Sequence, residues 1–250
     1  MDTMTPEDWL TAIARESSVL AETPVDALDL PVPTCPDWTV HDLLAHVGAV
    51  HRWAVDKVLG TRLYRGYDGI PAPEGGDVIG WYVEGRDALV ETLTGRDPDE
   101  PARTFVGPGT VGFWYRRQAG ELAVHRWDLE SALRPGAQRP IDAALAADGI
   151  DEWLELFAPR FIERGPGVPA ELVGRTLHLH GTDLPGSEWF LELTPTGFDH
   201  RREHAKADVA VRGSVSDLCL LLWHRRSHKD LDVVGDDALV LPMLDLVHVT

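Results

Sequence analysis

The chain of 250 residues contains only two cysteines, Cys35 and Cys219, and they lie far apart in the sequence. Two distant cysteines do not supply the dense disulfide framework of small secreted domains, which favours a reducing compartment. No apolar run approaches the roughly 18 residues that a membrane-spanning helix requires. The first residues also lack the basic and apolar regions of a signal peptide. We therefore expect a cytoplasmic protein without a membrane segment.

Positive charge is also scarce. Lysine and arginine together number 23 against 41 aspartates and glutamates, so the formal net charge is −18. Arginines occur at most in pairs, and no basic run is present. A surface this acidic repels phosphate backbones and anionic lipid. We therefore expect small-molecule partners rather than nucleic acid or a membrane.

Helical periodicity dominates the first two thirds of the chain. Thr5 followed by Pro6 has the pattern of a helix start, and Thr39 with Asp42 three residues later resembles a capping box. Long amphipathic segments joined by polar loops are typical of a helical bundle. The predicted helices are Thr5 through Leu20, Thr39 to about Leu59, about Val78 to Leu93, about Val111 to Leu133, and Ile141–Phe157.

The pattern changes after the proline- and glycine-rich stretch ERGPGVPAE. Short alternating runs, RTLHLHG, WFLELTP and DVAVRG, predict strands. The run SVSDLCLLLWHRR predicts one buried helix capped by Ser214. The predicted fold class is therefore α+β: a four-helix bundle over residues 1–162 and a smaller α+β domain over residues 169–250.

The pentapeptide AVHRW occurs twice, but the flanking residues do not align, so we do not interpret it as a duplication. In the second copy, His125 lies one helical turn after Glu121, about 40° from it, on the face that should be buried. A buried carboxylate costs several kcal/mol unless it is paired or bound to a metal. The residues leave two interpretations open. One is an ion pair of Glu121 with His125 or Arg117, and the other is a metal or catalytic pair.

The helix that carries the first copy offers three histidines, His41, His46 and His51. The helical wheel places His51 about 40° from the centre of the apolar arc and His46 about 100° from it. The wheel thus favours His51 as the inward residue, although His46 can still face a neighbouring helix. The residues alone do not decide between the two.

The stretches CPDWTVHDLLAHVGAVHRW, RRQAGELAVHRWDLE and LLLWHRR resemble the mycothiol-dependent maleylpyruvate isomerase family, which is related to DinB-type four-helix bundles. The resemblance extends over essentially the whole chain. It implies one Zn²⁺ ion bound by His46, Glu121 and His125, with mycothiol as the thiol co-substrate. It further implies that Arg225, next to Arg226, holds the substrate carboxylates, a role that suits the fixed fork of a guanidinium.

The implied chemistry is a cis–trans isomerisation. Three protein ligands with an open position are the pattern of catalytic zinc, and a thiol that coordinates zinc is deprotonated. The thiolate adds to the activated double bond of maleylpyruvate or a similar electrophile, the resulting single bond rotates, and the thiolate leaves. The alternatives are a mycothiol S-transferase and a non-catalytic metal-binding module. Either a monomer or a homodimer fits the resemblance.

Four further residues are weaker candidates. Asp128, on the same helix face as Glu121, is either a partner of a ligand histidine or a solvated or arginine-paired acid. Cys35, just before a helix start, is a rival nucleophile that lacks a sequence-adjacent base. His178 and His180 alternate in a predicted strand and share one face, which is compatible with a metal, but the sequence shows no third ligand for them.

Overall fold

A computed structural model describes residues 4–248, and its contacts divide the chain between Arg139 and Pro140 into two units. The predicted boundary lies later, between residues 162 and 169. The difference arises because the segment from 141 onward packs with the C-terminal helices. For example, the Ile141 amide donates a hydrogen bond to Ser216 Oγ at 2.8 Å.

The N-terminal unit, residues 4–139, is a bundle of four long helices, as the sequence predicts. The first and second helices each pack against the third and the fourth. Two short antiparallel hairpins, which the sequence analysis missed, lead into the second and fourth helices. The helices are α1 (Pro6–Ala21), α2 (Val40–Leu59), α3 (Asp77–Leu93) and α4 (Val111–Leu133); the hairpins are β1 (Pro31–Val32) with β2 (Cys35–Thr39) and β3 (Pro101–Thr104) with β4 (Gly107–Thr110).

Both predicted threonine caps are confirmed. The side chain of Thr39 accepts a hydrogen bond from the Asp42 amide at 3.3 Å, and the Asp42 carboxylate accepts from the Thr39 amide at 2.9 Å. Thr5 and Asp8 form the same reciprocal pair at the start of α1. Each box satisfies two backbone donors that a helix start otherwise leaves without partners, which fixes where α1 and α2 begin.

The fourth helix is buried on nearly all sides in its second half, and not only on its apolar stripe. On the side opposite Glu121, Arg126 contacts Glu16 of α1 at 2.7 Å and Glu130 at 3.0 Å. Buried charges are tolerated when they are paired in this way. The central position of α4 therefore buries a polar side that a helical wheel would assign to solvent.

The close approach of α2 and α3 depends on Gly48. A Cβ atom at this position would overlap the ring of Trp81 on α3. We expect Gly48→Ala to lower the free energy of unfolding by about 1–3 kcal/mol, the usual cost of overpacking. Gly80→Ala, on the facing helix where a Cβ meets no atom within 4 Å, is the control and should stabilise by about 0.5–1 kcal/mol. Urea unfolding of both variants checks this, and equal shifts would contradict the packing argument.

The C-terminal unit, residues 140–248, combines a five-stranded sheet with short helices. The strand order is β7-β6-β5-β8-β9, and only β5 and β8 are parallel. The elements are α5 (Ala143–Glu152), a π-helical turn (Trp153–Phe157), α6 (Ala158–Arg164), β5 (Thr176–Gly181), β6 (Glu188–Thr194), β7 (Gly197–Arg201), β8 (Val209–Gly213), α7 (Val215–Leu222), β9 (Asp232–Gly235) and α8 (Val240–Leu244).

Side chains alternate across this sheet as the sequence predicts. Leu177 and Leu179 of β5 are fully buried, as are Trp189 and Leu191 of β6. The helix α7 packs against β5 and β8. Successive side chains in a strand point to opposite faces, so the residues between these apolar ones lie on the other face of the sheet.

The helix α7 is shorter than predicted. Ser214 caps it as expected, but the helix ends at Leu222 because His224 adopts a left-handed backbone conformation with φ of 58°. Arg225 and Arg226 therefore follow the helix rather than lie on it. Among residues 4–248, no helix has the length and apolar character that a membrane crossing needs.

Candidate metal centre

Three of the predicted site residues meet in the N-terminal unit, where α2 packs against α4. His46 Nε2 lies 3.1 Å from Glu121 Oε1, and His125 Nε2 lies 3.3 Å from the same oxygen. The three potential ligand atoms all lie within 4.8 Å of one another. His125 is buried, whereas the side chains of His46 and Glu121 retain 17% and 15% exposure. The cluster can therefore be reached from solvent on one side.

His51, the histidine of the first AVHRW copy, lies in the apolar core and not in this cluster. It is fully buried, neither ring nitrogen has a hydrogen-bond partner, and its ring lies 5.5 Å from that of Tyr82. Burial lowers the pKa of His51 to about 3. The helical wheel was thus right that His51 points inward, but His51 makes no hydrogen bond to Glu121 and is not part of the cluster.

Asp128 contacts the ring nitrogen of His125 that faces away from Glu121. His125 Nδ1 lies 2.9 Å from Asp128 Oδ2, and Asp128 is fully buried. Thr34 Oγ1 donates to Asp128 Oδ1 at 2.6 Å, and Cys35 Sγ lies 3.7 Å from Oδ2. Because the carboxylate holds the proton on Nδ1, the nitrogen that can give up its proton to a metal ion is Nε2, which faces Glu121.

The two oxygens of Glu121 have different partners. Oε1 faces the two histidines, while Oε2 lies 3.2 Å from Arg117 Nη2. The ion pair with Arg117 and the contact with the histidines, which the sequence left as alternatives, therefore coexist. Burial by itself raises the pKa of Glu121, but the charge of His125, the hydrogen bonds from both histidines and the Arg117 charge hold that pKa well below its ordinary value. Glu121 is thus a carboxylate at neutral pH.

The two histidines differ in their protonation. Burial lowers the pKa of His46, against the opposing effect of its hydrogen bond to Glu121. Burial also acts to lower the pKa of His125, but the Glu121 charge and the Asp128 hydrogen bond overcome it and raise that pKa to about 9. A cation that binds at Nε2 of His125 must therefore displace a proton near neutral pH.

Two aromatic residues that the sequence analysis did not single out border the cluster. The Trp38 ring lies 4.8 Å from that of His46 and stacks on His125 at 6.0 Å. Tyr67 contacts His46 edge-on at 5.1 Å. Trp38 belongs to the CPDW stretch directly before the Thr39 cap, so its position relative to α2 is fixed by that cap. Tyr67 comes from a loop without periodicity, and no sequence signal indicates its role.

The fourth predicted site residue, Arg225, belongs to the C-terminal unit. It is partly exposed, and its Nη1 donates to the Trp223 carbonyl at 2.8 Å. Its neighbour Arg226 pairs with Asp217 at 3.2 Å. Within its own unit, Arg225 lies on an irregular turn after α7.

Two imidazole nitrogens and one carboxylate oxygen are typical donors for zinc and related transition metals. Fold and cluster together define a class of two-domain proteins in which a helical bundle with a histidine–glutamate cluster precedes an α+β domain. The family model for the mycothiol maleylpyruvate isomerase N-terminal domain matches residues 9–130, and the model for the corresponding C-terminal domain matches residues 144–242. The chain belongs to the mycothiol-dependent maleylpyruvate isomerase family, as its motifs predict.

Solved structures agree with this fold. A crystal structure of the mycothiol-dependent maleylpyruvate isomerase is 16% identical, with a TM-score of 0.62 over 93% of this chain and 95% of that chain. A histidine-to-alanine mutant of that isomerase is 15% identical, with a TM-score of 0.64 and the same coverage. No curated protein is significantly similar to the chain in sequence.

Proposed function

We propose that this chain is a zinc-dependent enzyme that uses a low-molecular-weight thiol, mycothiol, for the cis–trans isomerisation of maleylpyruvate or a similar electrophile. The observation that carries the proposal is the convergence of His46 Nε2 and His125 Nε2 on one oxygen of Glu121. Membership of the family supplies the thiol and the substrate class. The role assigned to each residue of the site is part of the proposal.

The donor set fits zinc. His46, Glu121 and His125 offer two imidazoles and one carboxylate, and this combination with an open fourth position is typical of catalytic rather than structural zinc. The ligands come from two helices that pack against each other, α2 and α4, so their separation does not depend on a mobile loop. When bound, zinc would lower the pKa of a coordinating thiol and so supply a thiolate at neutral pH.

The surrounding residues prepare the ligands. Asp128 holds one proton of His125 on Nδ1, so that Nε2 is the nitrogen that releases its proton and binds the metal, while Thr34 fixes the orientation of Asp128. Arg117 pairs with the second oxygen of Glu121 and keeps the first directed at the histidines. Trp38 and Tyr67 cover the His46 ring and limit the access of water.

The reaction needs no net change in protons or electrons. The thiolate sulfur forms a bond to one carbon of the activated double bond. The π electron pair of the double bond moves at the same time into the adjacent carbonyl system. Rotation about the resulting single bond is followed by cleavage of the carbon–sulfur bond, which restores the double bond and the thiolate. Arg225 would hold a substrate carboxylate during this sequence.

A turnover assay with mycothiol and maleylpyruvate tests the proposal. We expect isomer formation that requires the thiol but does not consume it, and that is lost on treatment with a strong chelator and restored by zinc. Stoichiometric consumption of the thiol into a stable adduct would instead support the S-transferase. An inactive protein that still binds one zinc ion at this cluster would instead support a non-catalytic metal-binding module.

Removal of the Asp128 charge should weaken the metal site without removing a ligand. We expect Asp128→Asn to lower zinc affinity about 10- to 100-fold, the usual effect of losing a carboxylate that orients a ligand histidine. Competition with a chromophoric chelator measures the affinity. Asp87→Asn, at an exposed carboxylate on α3, should leave it unchanged. Equal affinities for the wild type and Asp128→Asn would contradict the assigned role.

A further inference from the structure

A second group of metal-binding side chains lies in the C-terminal unit, and the proposed function does not use it. The sequence shows only that His178 and His180 share one face of a strand. The structure adds Glu188 and His204, and the potential ligand atoms of all four residues lie within 4.8 Å of one another. We call these four residues the sheet cluster.

The topology of the sheet explains why these residues meet. His178 and His180 lie two residues apart on β5, on the face opposite the buried leucines. The antiparallel register pairs His180 directly with Glu188 of β6, which places the carboxylate on the same face. His204 comes from the connection between β7 and β8. Glu188 lies eight residues after His180 and His204 a further 16 residues on, so the alternation within β5 does not reveal the complete set.

All three imidazoles face the carboxylate of Glu188. Glu188 Oε2 lies 2.5 Å from His178 Nε2 and 3.2 Å from His204 Nδ1, and His180 Nδ1 lies 2.9 Å from both carboxylate oxygens. As hydrogen bonds, these contacts require each of the three rings to carry its proton on the nitrogen that faces Glu188.

A divalent cation can bind the same four groups in place of these three protons. Each inward nitrogen then offers a lone pair rather than a proton, and the carboxylate supplies a negative charge. Tetrahedral zinc with ligands at about 2.0–2.1 Å has ligand atoms about 3.3 Å apart, and the potential ligand atoms here lie within 4.8 Å of one another, so side-chain adjustments of about 1–2 Å suffice. Imidazole-rich sites favour zinc, nickel or copper over magnesium and calcium, which prefer oxygen.

We propose that His178, His180, Glu188 and His204 form a second, structural binding site for a divalent transition-metal ion of the zinc class. Four protein ligands fill a tetrahedral shell, so this site has no open position for a substrate. The ion would join the exposed connection after β7, which carries His204, to the centre of the sheet. The site is independent of the cluster on α2 and α4.

Zinc stoichiometry of the purified full-length chain is the first test. We expect two bound equivalents in the wild type and one in His180→Ala/His204→Ala. These two side chains are 23% and 73% exposed, so their removal spares the core. The variant Glu121→Ala/His125→Ala should keep the equivalent at the sheet cluster. His41→Ala/His200→Ala, which removes two histidines outside both clusters, is the matched control and should retain two.

The zinc stoichiometries distinguish a failure of the sheet cluster from a failure of the site on α2 and α4. A single equivalent that disappears in His180→Ala/His204→Ala supports the sheet cluster even if the site on α2 and α4 fails. A single equivalent that disappears only in Glu121→Ala/His125→Ala overturns the sheet cluster. Two equivalents retained in His180→Ala/His204→Ala overturn it as well.

Trypsin sensitivity gives a second readout. The segment that carries His204 contains three cleavage positions, after Arg201, Arg202 and Lys206. Free zinc at 100 times its Kd should slow cleavage there about 100-fold, because the open segment that trypsin cuts does not hold the ion. The effect should be absent in His180→Ala/His204→Ala. An equal rate of cleavage with and without zinc in the wild type would overturn the structural role.

Discussion

Glu121→Ala/His125→Ala is expected to abolish zinc binding at the site proposed between α2 and α4 and to lower thiol-dependent kcat/KM about a thousandfold or more. Both residues are proposed ligands, and the remaining His46 alone does not hold a divalent ion. Metal-ion catalysis supplies several kcal/mol of transition-state stabilisation, and each 1.36 kcal/mol corresponds to a factor of ten in rate. Metal analysis together with the mycothiol and maleylpyruvate assay measures both effects.

The two copies of AVHRW provide a matched control for this experiment. His51→Leu changes the histidine of the other copy, which lies in the apolar core and does not contact Glu121. We expect this variant to keep both the zinc ion and the activity. His46→Ala, a single change on a different helix, should also lose the zinc ion and the activity. It serves as the test if the double variant folds poorly. Unchanged zinc content at this site in Glu121→Ala/His125→Ala would refute the assigned ligands.

The second large effect concerns the stability of the protein in acid. The folded-state pKa of His51 is about 3, whereas an unfolded histidine titrates near 6.5, so below pH 6.5 the unfolded state binds a proton that the folded state does not. His51 therefore contributes stability above pH 6.5 that is lost as the pH falls. The loss is about 1.4 kcal/mol per pH unit, and about 4–5 kcal/mol in total near pH 3.

His51→Leu should remove this dependence. We expect the variant to lose stability more slowly than the wild type between pH 6.5 and 4, because leucine fills the apolar site without a titratable group. Urea unfolding at several pH values measures the two slopes. Val47→Ala, which creates a cavity on the same helix, is the control and should lower stability by a constant amount at each pH. Parallel profiles for His51→Leu and the wild type would contradict the prediction.

In the metal-free protein, His125 has the opposite dependence. Its folded-state pKa is raised to about 9, so its contribution is fully present below pH 6.5 and is lost as the pH rises through 9. Two histidines within identical pentapeptides therefore affect stability in opposite directions. The cause is their surroundings: complete burial without a hydrogen-bond partner for His51, and the carboxylates of Glu121 and Asp128 beside His125.

Local sequence signals predict the helical bundle well. The bounds of α4 agree with the prediction at both ends, and the caps at Thr5 and Thr39 fix the starts of α1 and α2. These features depend on residues within one helical turn of each other, so the sequence contains the necessary information. The predicted strands β5, β6 and β8 follow from the period-two alternation for the same reason.

The choice between His46 and His51 shows why the rest could not be predicted. A helical wheel identifies one apolar arc, but α2 packs against both α3 and α4. His51 points into the core, whereas His46 faces Glu121 from the border of the arc. Only the resemblance favoured His46, because the hydrophobic periodicity of a helix does not predict how that helix packs against another one.

The same limit applies to the C-terminal unit. Ile141–Phe157 has a helical pattern, but periodicity does not show which unit its apolar face joins. Likewise, Glu188 and His204 reach the histidines of β5 only through strand pairing and a connection. Charged residues at buried positions, such as Arg126 and Glu130 of α4, have the sequence pattern of a solvent-exposed helix face. The sequence does not show the ion-pair partners that allow them to be buried.

The ion pair between Arg117 and Glu121 sets the charge of the proposed zinc site. A divalent ion and the two carboxylates of Glu121 and Asp128 would together have no net charge. The guanidinium of Arg117 then gives the site one net positive charge. An anion at the open position therefore gains a favourable attraction that a neutral ligand such as water does not. By this electrostatic selection, the buried arginine would favour a thiolate over a neutral thiol or water as the fourth ligand.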